Sequence, residues 1–547
     1  MIFVHIFVFL ALAFLHLPSV LNPALLHGFA YGDPEITAYI ASLVGKGAKL
    51  YQDFAIVYGP GRFFALAGLN KLLGVSFSIP LLGSYNAFIS LVLVPFCIYL
   101  ATYSTLRSQK PILRFLISLC PMAFYSVFLR SGQDVHAVIL LFVATYAWGK
   151  ENKFVSFLAG FFLALVGFFR VEAGIIAFIA VVATEIISHK KNGSIFFLFG
   201  SYLFFQLCYF LLIVFHGSLA HFFHDIVQLG IIAQPLMMKI AIQPVDYPLF
   251  EFSLMMGVFA VLVAIAGEDQ PLILLSFLSL LGFANALGRA DFDHLYYGVV
   301  LIVPAATAAI AKLAFRWKAY SEEKISLKTF LFSLLFLILV IFIVKEQSTY
   351  LLLGSVFLFI LCAKLLKKQN SIIAFFILIV TLCTLVRSQS LFIFYARRQF
   401  AIPPIKTLIV GYIQIPTFFR EVGKGNYGGL QLNREDSHAL EEMRQDLDGK
   451  TLFIYPSYVT LYSGLGKTPP IRYLYFNNEY TPQMEIETSQ MLQNKKIEYI
   501  LVSHNLTKPD AIVKNQTKEI AAYISRDYTR IKEYPFGGDQ MILMERK

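Results

Sequence analysis

The sequence predicts a polytopic α-helical membrane protein that ends in a small α/β domain outside the cytoplasm. Of its 547 residues, 57% are hydrophobic and only 14% are charged, which excludes an ordinary soluble protein. Apolar stretches able to cross a hydrocarbon core of about 30 Å recur along most of the chain. Polar residues return in roughly the last quarter, where short β-branched and aromatic runs are typical of buried strands.

The apolar stretches together predict about thirteen transmembrane helices. They lie at about residues 2–20, 79–106, 115–129, 135–149, 153–169, 173–188, 194–216, 251–266, 271–287, 295–315, 329–344, 350–363 and 371–395. The runs near 115–129 and 135–149 each cover only about 22 Å of helix, so they predict tilted or incomplete spans.

Basic residues alternate between the short loops in a way that places the N-terminus in the cytoplasm of a multi-pass cell-membrane protein. Much of the net charge of +11 falls in these loops, so it is a signal of topology and not of nucleic-acid binding. The first apolar stretch lacks a basic n-region and a clear cleavage site, and is predicted to be a span. The basic residues of the cytoplasmic loops are Arg107, Lys110, Arg114, Lys150, Lys153, Lys190, Lys191, Arg316, Lys318, Lys324, Lys328, Lys364, Lys367 and Lys368.

This topology divides the chain into a membrane domain, residues 1–395, and a soluble extracytoplasmic α/β domain, residues 396–547. Strands are predicted at Thr451–Pro456 and Ile497–Ser503, with a closing hairpin near residues 528–545. The five cysteines all lie in apolar segments without a CxxC pair, so neither a disulfide framework nor structural zinc is predicted.

The first external loop, residues 21–78, is neither apolar enough to span nor polar enough to be disordered. Hydrophobic residues recur at helical spacing after Asp33 and again after Pro60, which predicts two amphipathic helices on the membrane surface. Asp33 fits the N-cap of the first helix. Together with Asp53 it also offers a general base and a second acid or metal ligand.

The motifs of this loop resemble the first external loop of GT-C glycosyltransferases, in the bacterial branch related to protein mannosyltransferases and aminoarabinose transferases. They are Asp33-Pro34-Glu35, the LYQDF element at residues 50–54 and the YGPG turn at residues 58–61. The resemblance implies a GT-C-like membrane fold and transfer of a sugar from a polyprenyl-phosphate carrier to an external acceptor, usually with inversion. It also implies an aspartate base in this loop, and Asp33 is the matching position.

Other residues are candidates around that base. Some relatives carry adjacent acidic residues where this chain has Asp-Pro-Glu, so a role for Glu35 stays open, and Asp53 is the second candidate for the base. Glu35, Tyr58 and Arg62 are candidate substrate ligands. The resemblance also implies an acidic residue in the next external loop, for which Asp134 is the match.

Three further external clusters combine charges beside apolar segments, where charges are costly without a function. Arg130, Asp134 and His136 follow one another between the two short spans, and Asp33, Asp134 and His136 form a candidate divalent-metal site. The alternative for His136 is a helix-end residue bonded to backbone or water. No other cofactor is predicted.

The remaining clusters suit a phosphate-bearing donor. Arg170 and Glu172 lie at the outer end of a span, where the alternative is an interfacial arginine with its own counter-ion. Arg289, Asp291 and His294 crowd one external turn. Arg289 is the best phosphate ligand, because a guanidinium offers planar paired donors to phosphate.

Two other functions fit a chain with many spans. A transporter or flippase of lipid-linked saccharides binds near the midplane and often shows repeat symmetry, whereas these charges cluster on one face. A polysaccharide polymerase or ligase shares the donor class but would concentrate its Arg and His residues in one late loop. The predicted partners are the lipid-linked donor, the bilayer and a glycan, lipid or protein acceptor. Nucleic acid is not a predicted partner.

Overall fold

The computed structural model describes residues 2–21, 33–74, 79–126, 133–149, 152–188, 194–216, 219–227, 247–286, 292–320, 434–455, 459–474, 482–504 and 517–547. The chain divides into two compact units. The first comprises Met1–Leu17, Asn86–Tyr209 and Lys239–Ile409, and the second comprises Pro18–Tyr85, Phe210–Met238 and Val410–Lys547. The predicted domain boundary near residue 395 falls outside the described residues and stays a prediction.

Apolar helices follow one another through the membrane part of the chain. Local signals set their ends: the Asn152 side chain accepts the amide hydrogens of Phe154 and Val155, and Pro111 begins a helix where its missing N–H costs nothing. The helices are α1 (Ile2–Leu21), α4 (Ile79–Phe88), α5 (Val94–Thr105), α6 (Pro111–Phe124), α7 (Asp134–Gly149), α8 (Lys153–Phe169), α9 (Val171–Ser188), α10 (Ile195–His216), α12 (Tyr247–Ala266), α13 (Gln270–Ala286) and α14 (Phe292–Tyr320). A π-helical turn, Ile89–Leu93, joins α4 to α5.

Four of the described helices are long and apolar enough to cross a membrane, which agrees with the predicted membrane class. They are Ile2–Leu21, Leu81–Thr105, Val171–Ser188 and Ile195–Phe215. The two short predicted spans form shorter apolar helices, α6 and α7. The spans predicted at 329–344, 350–363 and 371–395 lie outside the described residues, so the number thirteen stays a prediction.

Small residues let the helices of the first unit approach closely. A Cβ added at Gly160 of α8 would overlap the carbonyl oxygen of Leu198 on α10. Gly167 and Gly174 face each other in the same way where α8 meets α9. In a membrane, where hydrophobic burial does not drive helix association, such close backbone packing supplies much of the attraction.

The second unit contains a four-stranded sheet near the C-terminal end of the chain. The strands are β1 (Leu452–Tyr455), β2 (Tyr499–Ser503), β3 (Tyr528–Phe536) and β4 (Asp539–Arg546), in the order β1-β2-β4-β3. The β1–β2 pair is parallel and the other two pairs are antiparallel. The predicted strands and the closing hairpin are therefore present.

The helices described in the second unit include two from the first external loop, a short one further along the chain and four around the sheet. They are α2 (Asp33–Gly45), α3 (Gly61–Leu72), α11 (Leu219–Phe223), α15 (Arg434–Asp446), α16 (Val459–Gly464), α17 (Pro482–Lys495) and α18 (Lys518–Asp527). The core of the sheet includes Phe453, Tyr473 and Ile500, and Ala55 and Val57 of the first external loop pack against it.

The two helices predicted in the first external loop are confirmed as α2 and α3. Part of their apolar surface is buried within the protein: Tyr39 and Ile40 of α2 and Phe63 and Leu66 of α3 are buried within the chain. The loop is thus folded into the second unit, and its predicted place on the membrane surface stays a prediction.

Candidate functional site

Asp33, the predicted base, is the first residue of α2. That position agrees with either of the roles considered for it, since an aspartate at a helix start can cap the helix or face a ligand. The side chains of Asp33 and Glu35 lie outside the described part of the structure. Their roles therefore stay predictions.

Asp53 is exposed in the turn between α2 and α3. Its Oδ2 accepts the Lys49 amide hydrogen at 2.7 Å, and the Lys49 carbonyl accepts the Asp53 amide hydrogen at 2.9 Å. One carboxylate oxygen thus closes the turn. The other has no hydrogen bond that ties it to this turn, so Asp53 presents a carboxylate to solvent from an ordered backbone.

Tyr51, two residues before Asp53, adopts a left-handed backbone with φ of 65°. This conformation is uncommon for a bulky residue and persists only where the surroundings enforce it. The Tyr51 ring is fully buried and packs edge-on against Phe222 at 5.0 Å between ring centroids. Its hydroxyl donates to the Tyr58 carbonyl at 2.9 Å.

The two remaining candidates of this loop flank the YGPG turn. Tyr58 is 40% exposed, and Arg62 is half-buried in the first turn of α3. The turn leads directly into α3, because Pro60 precedes the helix and its carbonyl accepts the Phe64 amide hydrogen. Tyr58 is therefore accessible to a ligand, whereas its backbone is fixed by Tyr51.

A buried ion pair holds this loop from two distant parts of the chain. Nη2 of Arg472 donates to Oδ2 of Asp225 at 2.7 Å and to the Tyr51 carbonyl at 2.6 Å. The same Asp225 oxygen accepts the Ile56 amide hydrogen at 3.2 Å. The Arg472 carbonyl accepts the Ala55 amide hydrogen at 3.0 Å. The pair thus fixes residues 51, 55 and 56, on both sides of Asp53.

The electrostatics of this pair are those of a desolvated contact. The Asp225 side chain is 0% exposed and that of Arg472 is 11% exposed. Burial raises the pKa of the Asp225 carboxyl, and Arg472, His224 and the Ile56 amide act in the opposite direction. His224 Nδ1 lies 3.2 Å from the second Asp225 oxygen. We define the Arg472–Asp225 clamp as Arg472, Asp225 and their bonds to residues 51, 55 and 56.

In the first unit, Arg170 contacts Gln133, the residue before Asp134 in sequence. Arg170 Nη1 donates to Gln133 Oε1 at 3.1 Å and forms an ion pair with Glu172. This ion pair matches the alternative interpretation, an arginine with its own counter-ion, and the predicted role of the two residues in donor binding stays a prediction. The guanidinium and carboxylate are 26% and 29% exposed, so both remain accessible.

Asp134 and His136 lie in the first turn of α7 and are both buried. Asp134 Oδ1 accepts the Val135 amide hydrogen at 3.0 Å, and His136 Nδ1 accepts that of Gln133 at 3.0 Å. This backbone bond to His136 is the alternative that the sequence left open for it. Arg130, the third member of the cluster, lies outside the described residues.

The late turn at residues 289–294 carries three of the predicted substrate ligands. Arg289 and Asp291 lie outside the described residues, and His294 falls in the first turn of α14 with its side chain undescribed. Within the described ranges, no group of three or more His, Cys, Asp or Glu side chains is arranged to hold a metal ion. The metal site of Asp33, Asp134 and His136 includes an undescribed side chain and stays a prediction.

Sequence reasoning did not single out Arg472 or Asp225. Asp225 lies in a largely apolar stretch with scattered His and Asp residues, and Arg472 lies in the LYSGLGKTPPIRY segment, residues 461–473, after β1. Their positions are 247 apart, so no local pattern connects them. A charged residue among largely apolar neighbours was the available signal.

The comparisons with known proteins find matches among solved structures only. No protein-family model matches the chain, and no curated protein matches it. Among solved structures, it is similar to ArnT from Cupriavidus metallidurans bound to undecaprenyl phosphate. The match covers 99% of this chain and 97% of that one, with 11% sequence identity and a TM-score of 0.48. At this level of similarity, function must be argued from the chain's own residues.

Proposed function

We propose that this chain is a membrane glycosyltransferase that moves a sugar from a polyprenyl-phosphate carrier to an acceptor hydroxyl on the extracytoplasmic face. The observation that carries the proposal is the first external loop, whose motifs resemble the GT-C pattern. Its two predicted helices are present, and the turn between them exposes Asp53 on a fixed backbone. A loop with two carboxylates beside apolar helices suits a lipid-bound substrate.

The proposed chemistry is a single displacement. Asp33 removes the proton from the acceptor hydroxyl, whose oxygen forms a new bond to the anomeric carbon. The bond from that carbon to the phosphate oxygen breaks on the opposite face, and the polyprenyl phosphate leaves with the electron pair. The sugar configuration is inverted. Asp53 supports the base or the acceptor, and Glu35 is the remaining acidic candidate nearby in sequence.

The leaving phosphate requires positive charge. Arg289 is the proposed phosphate ligand, because its guanidinium can offset the charge that develops as the phosphate leaves. Arg130 and Arg170 are the other external arginines proposed for the donor. A divalent ion held by Asp33, Asp134 and His136 would serve the same purpose and is the alternative source of that charge.

The test is sugar transfer by the full chain in lipid nanodiscs, with a panel of polyprenyl-phosphate-linked sugars and release of polyprenyl phosphate as the readout. We expect Asp33→Asn to lower kcat by about a hundredfold with little change in donor binding, because Asn can still cap a helix but cannot accept the proton. Glu35→Gln, two residues further along the same helix, tests whether Glu35 shares that role.

Two outcomes would contradict the proposal at different levels. An Asp33→Asn chain that inserts and transfers sugar at the wild-type rate would remove Asp33 as the base. A wild-type chain that releases no polyprenyl phosphate from any sugar donor, but moves a lipid-linked saccharide across the membrane, would replace the transferase by a flippase.

A further inference from the structure

The buried ion pair of Arg472 and Asp225 has no catalytic assignment and contacts the first external loop, which carries the proposed base. Replacing a buried ion pair by apolar residues is often neutral or stabilising, so its presence calls for a reason beyond stability. The Arg472–Asp225 clamp has a feature that a simple stabilising pair does not need. Its bonds converge on the few residues around Asp53.

Tyr51 shows why that stretch needs to be held. The left-handed backbone conformation is unfavourable for a bulky aromatic residue, so an unrestrained loop would relax to another conformation. The Tyr51 carbonyl accepts a hydrogen bond from Arg472 Nη2 at 2.6 Å. Relaxation of Tyr51 would turn this carbonyl away and re-aim Asp53, two residues later.

We infer that Arg472 and Asp225 are positioning residues, which hold the Tyr51–Ile56 segment in its strained form so that Asp53 faces the reacting groups. The inference rests on the proposed function for its catalytic consequence, but not for the geometry. Arg472 suits this role because one planar guanidinium reaches a carboxylate and a carbonyl together. A lysine at that position supplies the charge without the fixed fork.

The holding role is tested by thiol labelling of Ile56→Cys, since Ile56 is only 4% exposed while the clamp is intact. The five native cysteines are first replaced by serine or alanine. We expect Arg472→Met to raise the labelling rate of this thiol by a membrane-impermeant maleimide about tenfold or more, as the segment opens locally. Arg472→Lys should give an intermediate rate.

A buried cysteine elsewhere in the second unit separates local opening from unfolding. Ala439→Cys places a thiol on α15 at a position that is 2% exposed and has no bond to the clamp. We expect its labelling rate to stay unchanged in the Arg472→Met chain. Equal acceleration at Ile56 and Ala439 would mean that the unit unfolds, and no acceleration at Ile56 would mean that the clamp holds nothing. Either result overturns the inference.

Kinetics test the catalytic consequence. We expect Arg472→Lys to lower kcat for sugar transfer by about fivefold to tenfold with the donor KM nearly constant, because the carboxylate is misaimed while the donor site is intact. The same substitution should cost much less when Asp53 is already Asn, since both act through one group. Two results would refute the positioning role without contradicting the transferase activity. One is that the losses of kcat from Arg472→Lys and Asp53→Asn add in the double variant, and the other is that the Ile56→Cys thiol is labelled faster without any loss of kcat.

If the wild-type chain transfers no sugar, the proposed function fails. The labelling rates then still decide whether the clamp holds the segment.

Discussion

Substitution of Asp53 distinguishes a turn residue from a supporting acid. The structure gives Asp53 one structural task, the acceptance of the Lys49 amide hydrogen at 2.7 Å in an exposed turn. Loss of such a bond, as in Asp53→Ala, typically costs about 0.5–1.5 kcal/mol of stability. Asn keeps an acceptor oxygen in the same place, so Asp53→Asn should leave the thermal midpoint nearly unchanged.

The catalytic contribution has a different signature. A supporting acid that orients the acceptor or shares the charge of the base should be worth about tenfold in kcat, or about 1.4 kcal/mol in the barrier. We therefore expect Asp53→Asn and Asp53→Ala to lower kcat to a similar extent, while only Asp53→Ala lowers the thermal midpoint. The expected loss of kcat is smaller than for Asp33→Asn, because Asp53 supports the base and does not itself remove the proton.

The assay measures kcat and the thermal midpoint for both variants in the same nanodiscs. Gln52→Ala, at the exposed position next to Asp53, is the matched control and should change neither quantity. Wild-type kcat in Asp53→Asn together with a reduced kcat in Asp53→Ala would show that only the turn matters. Asp53 would then be a structural residue, and the positioning role of the clamp would need another target.

Three further predictions concern the membrane unit and its orientation. A cysteine introduced at Gln52 should react with an impermeant maleimide added outside sealed cells, and one introduced at Ser108 should not. The reverse pattern would mean that the predicted orientation in the membrane is wrong. Lys312 and Asp269 form an ion pair with little exposure, so Lys312→Met alone should lower the free energy of unfolding by about 2–3 kcal/mol. The double variant with Asp269→Asn should lower it by less, because no unpaired charge remains buried. Equal losses in the single and the double variant would mean that the pair is solvated. Gly160→Ala should lower the thermal midpoint, because its Cβ overlaps backbone of the neighbouring helix, and a wild-type midpoint would show that the helices separate easily.

The sequence was sufficient for elements whose physical signal is local. Uninterrupted apolar runs predicted helices such as α9 and α10, since backbone groups in lipid must bond within their own segment. Turn residues at Pro535, Gly537 and Gly538 likewise predicted the hairpin of β3 and β4. Helical spacing of apolar residues after Asp33 predicted α2.

The partners of those elements could not be predicted in the same way. The apolar face of α2 reads as membrane-facing in sequence, because an interfacial helix and a half-buried helix share one pattern. The structure buries Tyr39 and Ile40 against other parts of the chain. Gln133 shows the same limit, since nothing in its neighbourhood in sequence identifies Arg170 as its partner. Pairings of this kind depend on tertiary structure alone.

The two halves of the Arg472–Asp225 clamp should not be equivalent, and the difference follows from burial. Arg472→Met leaves the Asp225 carboxylate at 0% exposure without its cation, with only His224 and the Ile56 amide beside it. Asp225→Asn removes the carboxylate but keeps an acceptor for Ile56, and Arg472 retains the Tyr51 carbonyl. Asp225→Asn strands the Arg472 guanidinium in turn, but that cation is 11% exposed and partly hydrated, whereas the stranded Asp225 carboxylate is fully buried and costs more. We therefore expect the Ile56→Cys thiol to be labelled faster in Arg472→Met than in Asp225→Asn.

The double variant of Arg472→Met and Asp225→Asn tests whether the two residues act as one pair. Once Asp225 is Asn, Arg472→Met no longer strands a buried carboxylate, so the double variant should be labelled no faster than Arg472→Met alone. Multiplied rates in the double variant would mean that the two residues act separately on the Tyr51–Ile56 segment. Asp225 would then hold Ile56 and Arg472 would hold Tyr51 as independent contacts, and the ion pair between them would have no part in positioning Asp53.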